Sequence, residues 1–504
     1  MKSRPVTSGF AGGAGPSKLR RMSTDRASLK QTWKTRYANV PAQLAMLGEI
    51  GGAASVFNSN IDAVRKVKPA ILQQWIAARG GDPARFLAEG TAAIHAPDDV
   101  LRGFLFCFAR GIAREWLVSA EETFAWMRDT LGHDRLQMGG QGGIIANVLA
   151  TCGVRQVYAH CASLPTQQAG LFVDLPSLLS TDADGRLAPA HGIHRDRDLP
   201  LIHWILEFDR GDRIEIGGQT ITCPKSNRFI ATWDPLNFRL AIDDGFDRAL
   251  RDPDAPLDYA LLAGYQMLQE PLADGTSAMV RIEASLAAIA AWRASHPALV
   301  VHFEFASTQD AVVRKYLLDR VARQCDSCGL NEQELIDILD VMGEAALAAA
   351  CRSGLGSDSL VRGLEAVYRH LGIARVQLHM FGLFVTLQRP GHAVSPEAAR
   401  EGMALAATVS AAKAGTGSIE VPENLLWAHG REVGDASLAE LERLAGHVAA
   451  GHGPDAAASL LTGGIVRGSE WDMIAVPTIL IDKPLTLVGM GDTISSLSLL
   501  GARG

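Results

Sequence analysis

A chain of 504 residues with 47% hydrophobic and 20% charged side chains has globular composition, and it is longer than one ordinary compact core fills. With 48 Lys and Arg against 55 Asp and Glu, the net charge of −7 excludes a protein built to coat nucleic acid. The candidate apolar stretch Ala284–Ala291 stops at Trp292, Arg293 and His296, short of the roughly 18 residues of a membrane helix, so a soluble, cytoplasmic protein is expected.

In chain order, residues 1–30 scatter Lys2, Arg4, Lys18, Arg20, Arg21, Arg26 and Lys30 among Gly, Ser and Pro with no apolar stretch behind them, which predicts a disordered basic tail rather than a signal peptide. Short β-rich runs then alternate with helical patterns. Strands are predicted over Ala53–Asn58, Gln156–Ala162, Leu201–Phe208, Arg228–Thr232, Tyr259–Leu262, Leu299–Phe305, Val376–Leu378 and Leu485–Gly489. Helices are predicted over Gly142–Thr151, Ser277–Ser295, Ala311–Cys325 and Leu335–Ala350. Continuous apolar runs such as the one beginning at Ala298 belong to strands covered on both faces, the signature of a layered α/β sheet. The polar stretch Ser180–Leu199 and the alternating Ile202–Phe208 read instead as a half-covered antiparallel lid. Seven scattered cysteines point to reduced thiols, and Cys325 and Cys328 form a CxxC with no second pair at zinc-finger spacing.

The sharpest local feature is Leu485-Thr-Leu-Val-Gly489-Met490-Gly491-Asp492-Thr493, an apolar run that breaks at two glycines and becomes a helix near Asp492. Such a turn exposes unpaired N–H groups at a helix N-terminus and suits a phosphate, and Asp492 then either takes a proton from an attacking hydroxyl or merely caps the helix. Asn58-Ser-Asn60-Ile-Asp62 ends an early strand in groups fit to grip vicinal hydroxyls, with an Asx turn as the structural alternative. Met138-Gly-Gly140-Gln141-Gly-Gly opens a helix with further exposed amides, and no P-loop string is found. His302 and Glu304 share one face of a buried strand. Asn331-x-x-Glu334 is close to a capping box.

Taken in order, Asn58-Ser-Asn60-Ile-Asp62, Met138 to Asn147, Ile202-His203-Trp, Asn227-Arg228-Phe-Ile, Ala263-Gly-Tyr-Gln266, His302-Phe-Glu304, Asn331-x-x-Glu334, Leu378-His379 and Val488-Gly-Met-Gly-Asp492-Thr resemble the ADP-dependent glucokinase and phosphofructokinase family. The resemblance implies a ribokinase-like α/β/α core with a smaller discontinuous lid, approximately residues 64–137 and 190–235. It implies Asp492 as general base, Gly489, Met490, Gly491 and Arg228 around a phosphate, and Glu304 and Glu334 supporting Mg2+ largely through waters. It further implies Asn60, Asp62, Gly140 and Gln141 on the sugar and His379 against the adenine. Glu115, 25 residues before Gly140, lies in the segment the family associates with accepting glucose, the alternative being an exposed helical Glu beside Arg114. Arg195, Arg197 and Lys225 equally offer themselves to a substrate phosphate. A carboxylate at a helix N-terminus is expected to be a weak base that takes its proton late.

The expected activity is transfer of the β-phosphoryl of ADP to the 6-hydroxyl of a hexose, glucose favoured, with AMP released. Three alternatives stand beside it: ADP-dependent 6-phosphofructokinase, an ATP-dependent ribokinase-like sugar kinase, and a non-catalytic sugar-binding regulator. The partners expected are a hexose or hexose phosphate with ADP and AMP, without nucleic acid or membrane, and a monomer is compatible with the sequence.

Overall fold

The computed structural model describes residues 26–87 and 93–503. Among them, eleven strands form one sheet and six form a second, with a two-stranded hairpin beside the latter. The large sheet is built around seven parallel strands: Arg375–Met380, Ser327–Leu330, Val300–Glu304, Tyr259–Leu262, Ala53–Val56, Val157–Ala159 and Leu178–Thr181, in that spatial order. Antiparallel strands close both edges. Nearly every residue of the central strands is buried, because helices such as Gln141–Thr151, Ala278–Ser295 and Pro396–Thr416 cover the faces. Parallel strands deliver all their carboxyl ends to one side, and Val56, Leu262, Glu304 and Leu330 end there together.

The six-stranded sheet runs Ala93–Ile94, Arg114–Val118, Asn227–Trp233, Ile202–Phe208, Asn60–Lys66 and Arg135–Gly139. Its alternation sends Ile202, Trp204, Leu206 and Phe208 into a separate core beneath the helices Pro69–Ala78, Pro97–Arg110 and Glu121–Thr130. In that core the ring of Phe208 meets those of Phe104 and Phe108 edge-on at 5.6 and 5.7 Å. The opposite face, with Asp62, His203, Ile205 and Ile230, lines a cleft against the large sheet.

Four expectations change. Residues 1–25 of the anticipated tail lie outside the described residues, but Arg26 and Lys30 open a helix, Arg26–Tyr37, and pair with Glu442 and Asp435. The basic composition masked an apolar stripe, Leu29, Trp33 and Tyr37, that packs into the main core. Ser180–Leu199 is no lid segment, since Leu178–Thr181 and Leu187–Pro189 form the edge of the large sheet; the small sheet resumes only at Ile202. Leu485–Gly489 forms no strand: it has no neighbouring strand to join, and Leu485 and Leu487 stand exposed at the cleft mouth. Leu335–Ala350 is two helices, Glu332–Met342 and Ala345–Ser353, because Gly343 closes the first in the left-handed region at φ +83°. Cys325 and Cys328 are buried free thiols beside and within the strand Ser327–Leu330, and no helix among the described residues is long and apolar enough to cross a membrane.

Trp33 is fully buried and its indole N–H donates to the Leu461 carbonyl at 3.0 Å, while the Tyr37 hydroxyl donates to that of Pro477 at 2.8 Å. Trp33→Ala is therefore expected to destabilise the protein by about 3–5 kcal/mol, the range for truncating a large buried aromatic. Urea denaturation checks it, and a cost below about 1 kcal/mol would return this helix to the status of a tail.

Candidate active site

The helix Met490–Leu500 starts from Gly489 and points its first N–H groups, which no helix can satisfy internally, into the cleft. Asp492 is the third residue of that helix and does not cap it. Its Oδ1 accepts at 2.9 Å from the side-chain amide of Gln141, whose Oε1 in turn accepts from the Gly264 N–H at 3.0 Å. Burial raises the Asp492 carboxyl above the ordinary aspartate value, against the opposing pull of the Gln141 bond and the Lys413 charge. Desolvation therefore outweighs the helix N-terminus, and the weak base expected from sequence becomes a stronger one.

Behind this turn lies a set of buried charges. Glu304, at the end of its strand, is flanked by His302 Nε2 at 3.4 Å and His379 Nε2 at 3.5 Å. Burial, followed by the charges of Glu334 and Asp492, holds its carboxyl well above the ordinary value, despite Ser495 and Arg375. Glu334 closes a true capping box, its Oε2 accepting from the Asn331 N–H at 2.8 Å while the Asn331 side chain accepts from the Glu334 N–H at 3.0 Å. Even so, burial pushes Glu334 up to about 8, with the Asp492 charge adding to it. Two buried carboxyls, Glu304 and Glu334, each raised further by the Asp492 charge, are what a divalent cation and its waters would relieve, and no set of three ligands tight enough for direct chelation occurs among the described residues. The donor chemistry fits magnesium held through water. His379 is buried and pushed down to about 4 by desolvation, hence neutral; it sits against Glu304 and Gly491, at the helix turn.

At the other end of the cleft the register of the small sheet sets Gln137, Asp62, His203 and Thr232 in one row across four strands. Asn60 Nδ2 donates to Asp62 Oδ1 at 3.0 Å. Gly140, at φ +73°, turns the chain where a Cβ would strike the Asn58 carbonyl, so the loop comes up against Asn58 and Asn60. Among the described residues, the buried oxygens Asn58 Oδ1, Asn60 Oδ1 and Gln266 Oε1 have no donor. Glu115 is not helical: it lies on the strand Arg114–Val118, and its Oε1 accepts from the Thr232 hydroxyl at 2.6 Å and lies 3.9 Å from His203 Nδ1. Arg228 is exposed on the rim of the same cleft. Arg195 is committed elsewhere, to Asp198 at 2.7 Å and Asp243 at 3.3 Å, and neither it nor Arg197 nor Lys225 lines the cleft.

The structure thus brings Asn60, Asp62, Glu115, Gly140, Gln141, Arg228, Gly489 and Asp492 to one cleft, with Glu304, Glu334 and His379 behind its floor. Three residues emerge that sequence reasoning passed over. His203 sits inside a quoted string without a role. Asp234 is fully buried, accepting from Asn237 N–H at 3.1 Å and Asn237 Nδ2 at 2.8 Å, with His203 Nε2 at 3.0 Å. Lys413 reaches the Gly489 turn from the helix Pro396–Thr416, which is not among the elements the sequence predicts.

A model of the ADP-specific phosphofructokinase/glucokinase conserved region matches residues 52–501. The ADP-specific phosphofructokinase of Methanosarcina acetivorans is 30% identical over 481 residues, covering 92% of this chain and 96% of that protein. The ADP-dependent glucose/glucosamine kinase of Pyrococcus abyssi is 28% identical over 469 residues, covering 92% and 97%. Among solved structures, the last common ancestor of ADP-dependent phosphofructokinases from Methanosarcinales superposes with a TM-score of 0.82 at 27% identity, covering 95% of this chain and 99% of the other.

Burial acts to lower the His203 pKa, but the Asp234 hydrogen bond and the charges of Asp234, Glu115 and Asp62 together raise it above 6.5. A raised histidine contributes stability that is complete below its unfolded pKa and lost as pH climbs through the folded value. Asp234→Asn keeps an acceptor for Nε2–H but removes the charge, so burial should win and His203 should titrate below about 6.5. NMR of the histidine rings, with the His203 signal assigned by its loss in His203→Asn, checks this; an unchanged titration would show that Asp234 does not control the ring.

Proposed function

The chain belongs to the ADP-specific phosphofructokinase/glucokinase family and is an ADP-dependent sugar kinase with a ribokinase-like fold, and on that premise we propose that it phosphorylates the 6-hydroxyl of an unphosphorylated hexose, glucose foremost. The observation that carries the substrate choice is the charge and hydrogen-bonding balance of the sugar end. Three unpaired buried acceptors ask for hydroxyl donors, which a sugar supplies. Around them stand Asp62, Glu115 and Asp234, answered only by His203 and the rim residue Arg228. A phosphate entering there would meet more negative than positive charge, and Arg195, the half-buried arginine the sequence offered for it, is already paired. Arg228 at the cleft rim is the feature that favours the fructose 6-phosphate reading.

In the proposed reaction the sugar lies between Asn60, Asp62 and the Gln141 loop, with O6 toward Asp492. O6 forms the new bond to the β-phosphorus of ADP, the bond from that phosphorus to the oxygen bridging the α-phosphate breaks, and AMP leaves with the bonding electrons. The O6 proton passes to Asp492, whose raised pKa suits it to that task and whose orientation Gln141 holds. The first N–H groups of Met490–Leu500 receive the negative charge of the moving phosphoryl group. Magnesium bound through water near Glu304 and Glu334 would supply charge neutralisation on the phosphates. The small sheet acts as the lid: closing it over the cleft would cover the exposed Leu485 and Leu487 and remove water, which competes as acceptor.

Asp492→Asn keeps the shape and the Gln141 contact but cannot take the proton, so kcat is expected to fall about 10²–10⁴-fold with the sugar KM little changed. Retention of a tenth of wild-type activity would remove Asp492 as the base.

Glu334→Gln still accepts the Asn331 N–H, so the melting temperature should hold while the magnesium concentration for half-maximal rate rises. A normal magnesium curve would leave Glu334 a helix cap only.

Glu115→Ala should lower kcat/KM for glucose by about one to two decades, the equivalent of roughly 1.5–3 kcal/mol for a hydrogen bond to a charged group, and harm any turnover of fructose 6-phosphate less. Equal losses on both substrates, or none, would defeat the assignment.

A further inference from the structure

Lys413 lies in the last turn of the helix Pro396–Thr416 and is partly buried. Its ammonium makes no ion pair among the described residues, and burial lowers its pKa to about 8 even with Asp492 and Glu420 drawing it upward. An apolar side chain would cost less there, so the ammonium must be answering something specific. What it touches is the turn that opens the C-terminal helix. Lys413 Nζ donates to the Gly489 carbonyl at 3.2 Å and to Thr493 Oγ1 at 3.2 Å. The same carbonyl accepts from the Thr493 N–H at 3.2 Å and from the Thr493 hydroxyl at 2.8 Å. One peptide oxygen is therefore held by three donors, and a triangle of Lys413, Gly489 and Thr493 closes beneath the N–H groups that face the cleft. Gly489 has φ +61°, and a Cβ there would stand 3.1 Å from Nζ and closer still to Ile144, so the glycine also makes room for the ammonium.

We propose that Lys413 is a positioning residue for phosphoryl transfer: its ammonium clamps the Gly489 carbonyl and the Thr493 hydroxyl, fixing the first turn of Met490–Leu500 in the geometry that receives the phosphoryl group, and it places a positive charge behind Asp492. The inference deepens the reading of Asp492 and its turn as the transfer site and rests on it. Lys413 contacts neither Asn60, Asp62 nor Glu115, so it acts on turnover and not on sugar binding. A cavity bordered by Lys413, Asn147, Glu420 and Thr486 gives small solutes access to the ammonium's position.

The test uses Lys413→Met and Lys413→Ala in the full chain. Both are expected to lower kcat about 10–100-fold, the cost of a mispositioned catalytic turn, with the sugar KM within about twofold of wild type. Propylammonium chloride should restore part of the lost kcat in Lys413→Ala, where the space is open, and none in Lys413→Met, where the thioether fills it. A Lys413→Met enzyme within about threefold of wild-type kcat would overturn the proposal. So would failure of propylammonium to raise the Lys413→Ala rate above that seen with sodium chloride. Asp492→Asn measured alongside separates the two levels: if it stays active the transfer site itself is misplaced, whereas if it is inactive and Lys413→Met is normal only the role of Lys413 falls.

Discussion

One side-chain amide joins the parts of this site. Gln141 opens the helix that follows the small sheet, donates to the Asp492 carboxylate and accepts from the Gly264 backbone at the end of a central strand. Both ends of an amide are used, each in its only permitted sense: the carboxylate can only accept and the peptide N–H can only donate. The rotation of the Asp492 side chain is therefore set by a residue 351 positions earlier.

Around that contact the chain tolerates an uncommon load of buried charge. Glu304, Glu334, Asp492, Arg375 and His379 all lie within the protein, and burial is the leading cause of every shift among them. Charges left in such a place make sense when a ligand brings the compensating ones, and Mg-ADP would bring both signs. The sugar end is polar for a different reason. There the groups are acceptors and carboxylates arranged across a sheet, with the buried Asp234 against His203. The two ends of one cleft thus differ in chemistry.

The large sheet shows why this division is possible. Parallel strands gather the ends of segments distant in sequence, while the small sheet, which is mixed rather than antiparallel as the sequence suggested, presents a row of side chains from four strands. Helix termini and loops sit on the first, and a side-chain surface on the second. The cleft between them is lined by both.

Much was legible in the sequence for local reasons. Apolar runs marked Ala53–Val56, Tyr259–Leu262 and Val300–Glu304 within two residues but left Ser327–Leu330 and Leu178–Thr181 unmarked, glycine pairs marked the Gly140 and Gly489 turns, and Asn331 with Glu334 spelled a capping box that is present. The order of short motifs was enough to point to the family. What the sequence alone could not decide depended on partners distant in the chain. Leu485–Gly489 has strand composition but no edge to pair with, the helix Arg26–Tyr37 was hidden by basic residues until a core existed for Trp33, and Arg195 became unavailable only when folding brought Asp243 to it. Asp62, His203 and Thr232 meet because strand register puts them opposite one another, and register is a property of the pair, not of either strand. Protonation follows the same rule: residue type sets the starting value, and the desolvation that moves Asp492, Glu334 and Lys413 exists only once the tertiary structure has excluded water.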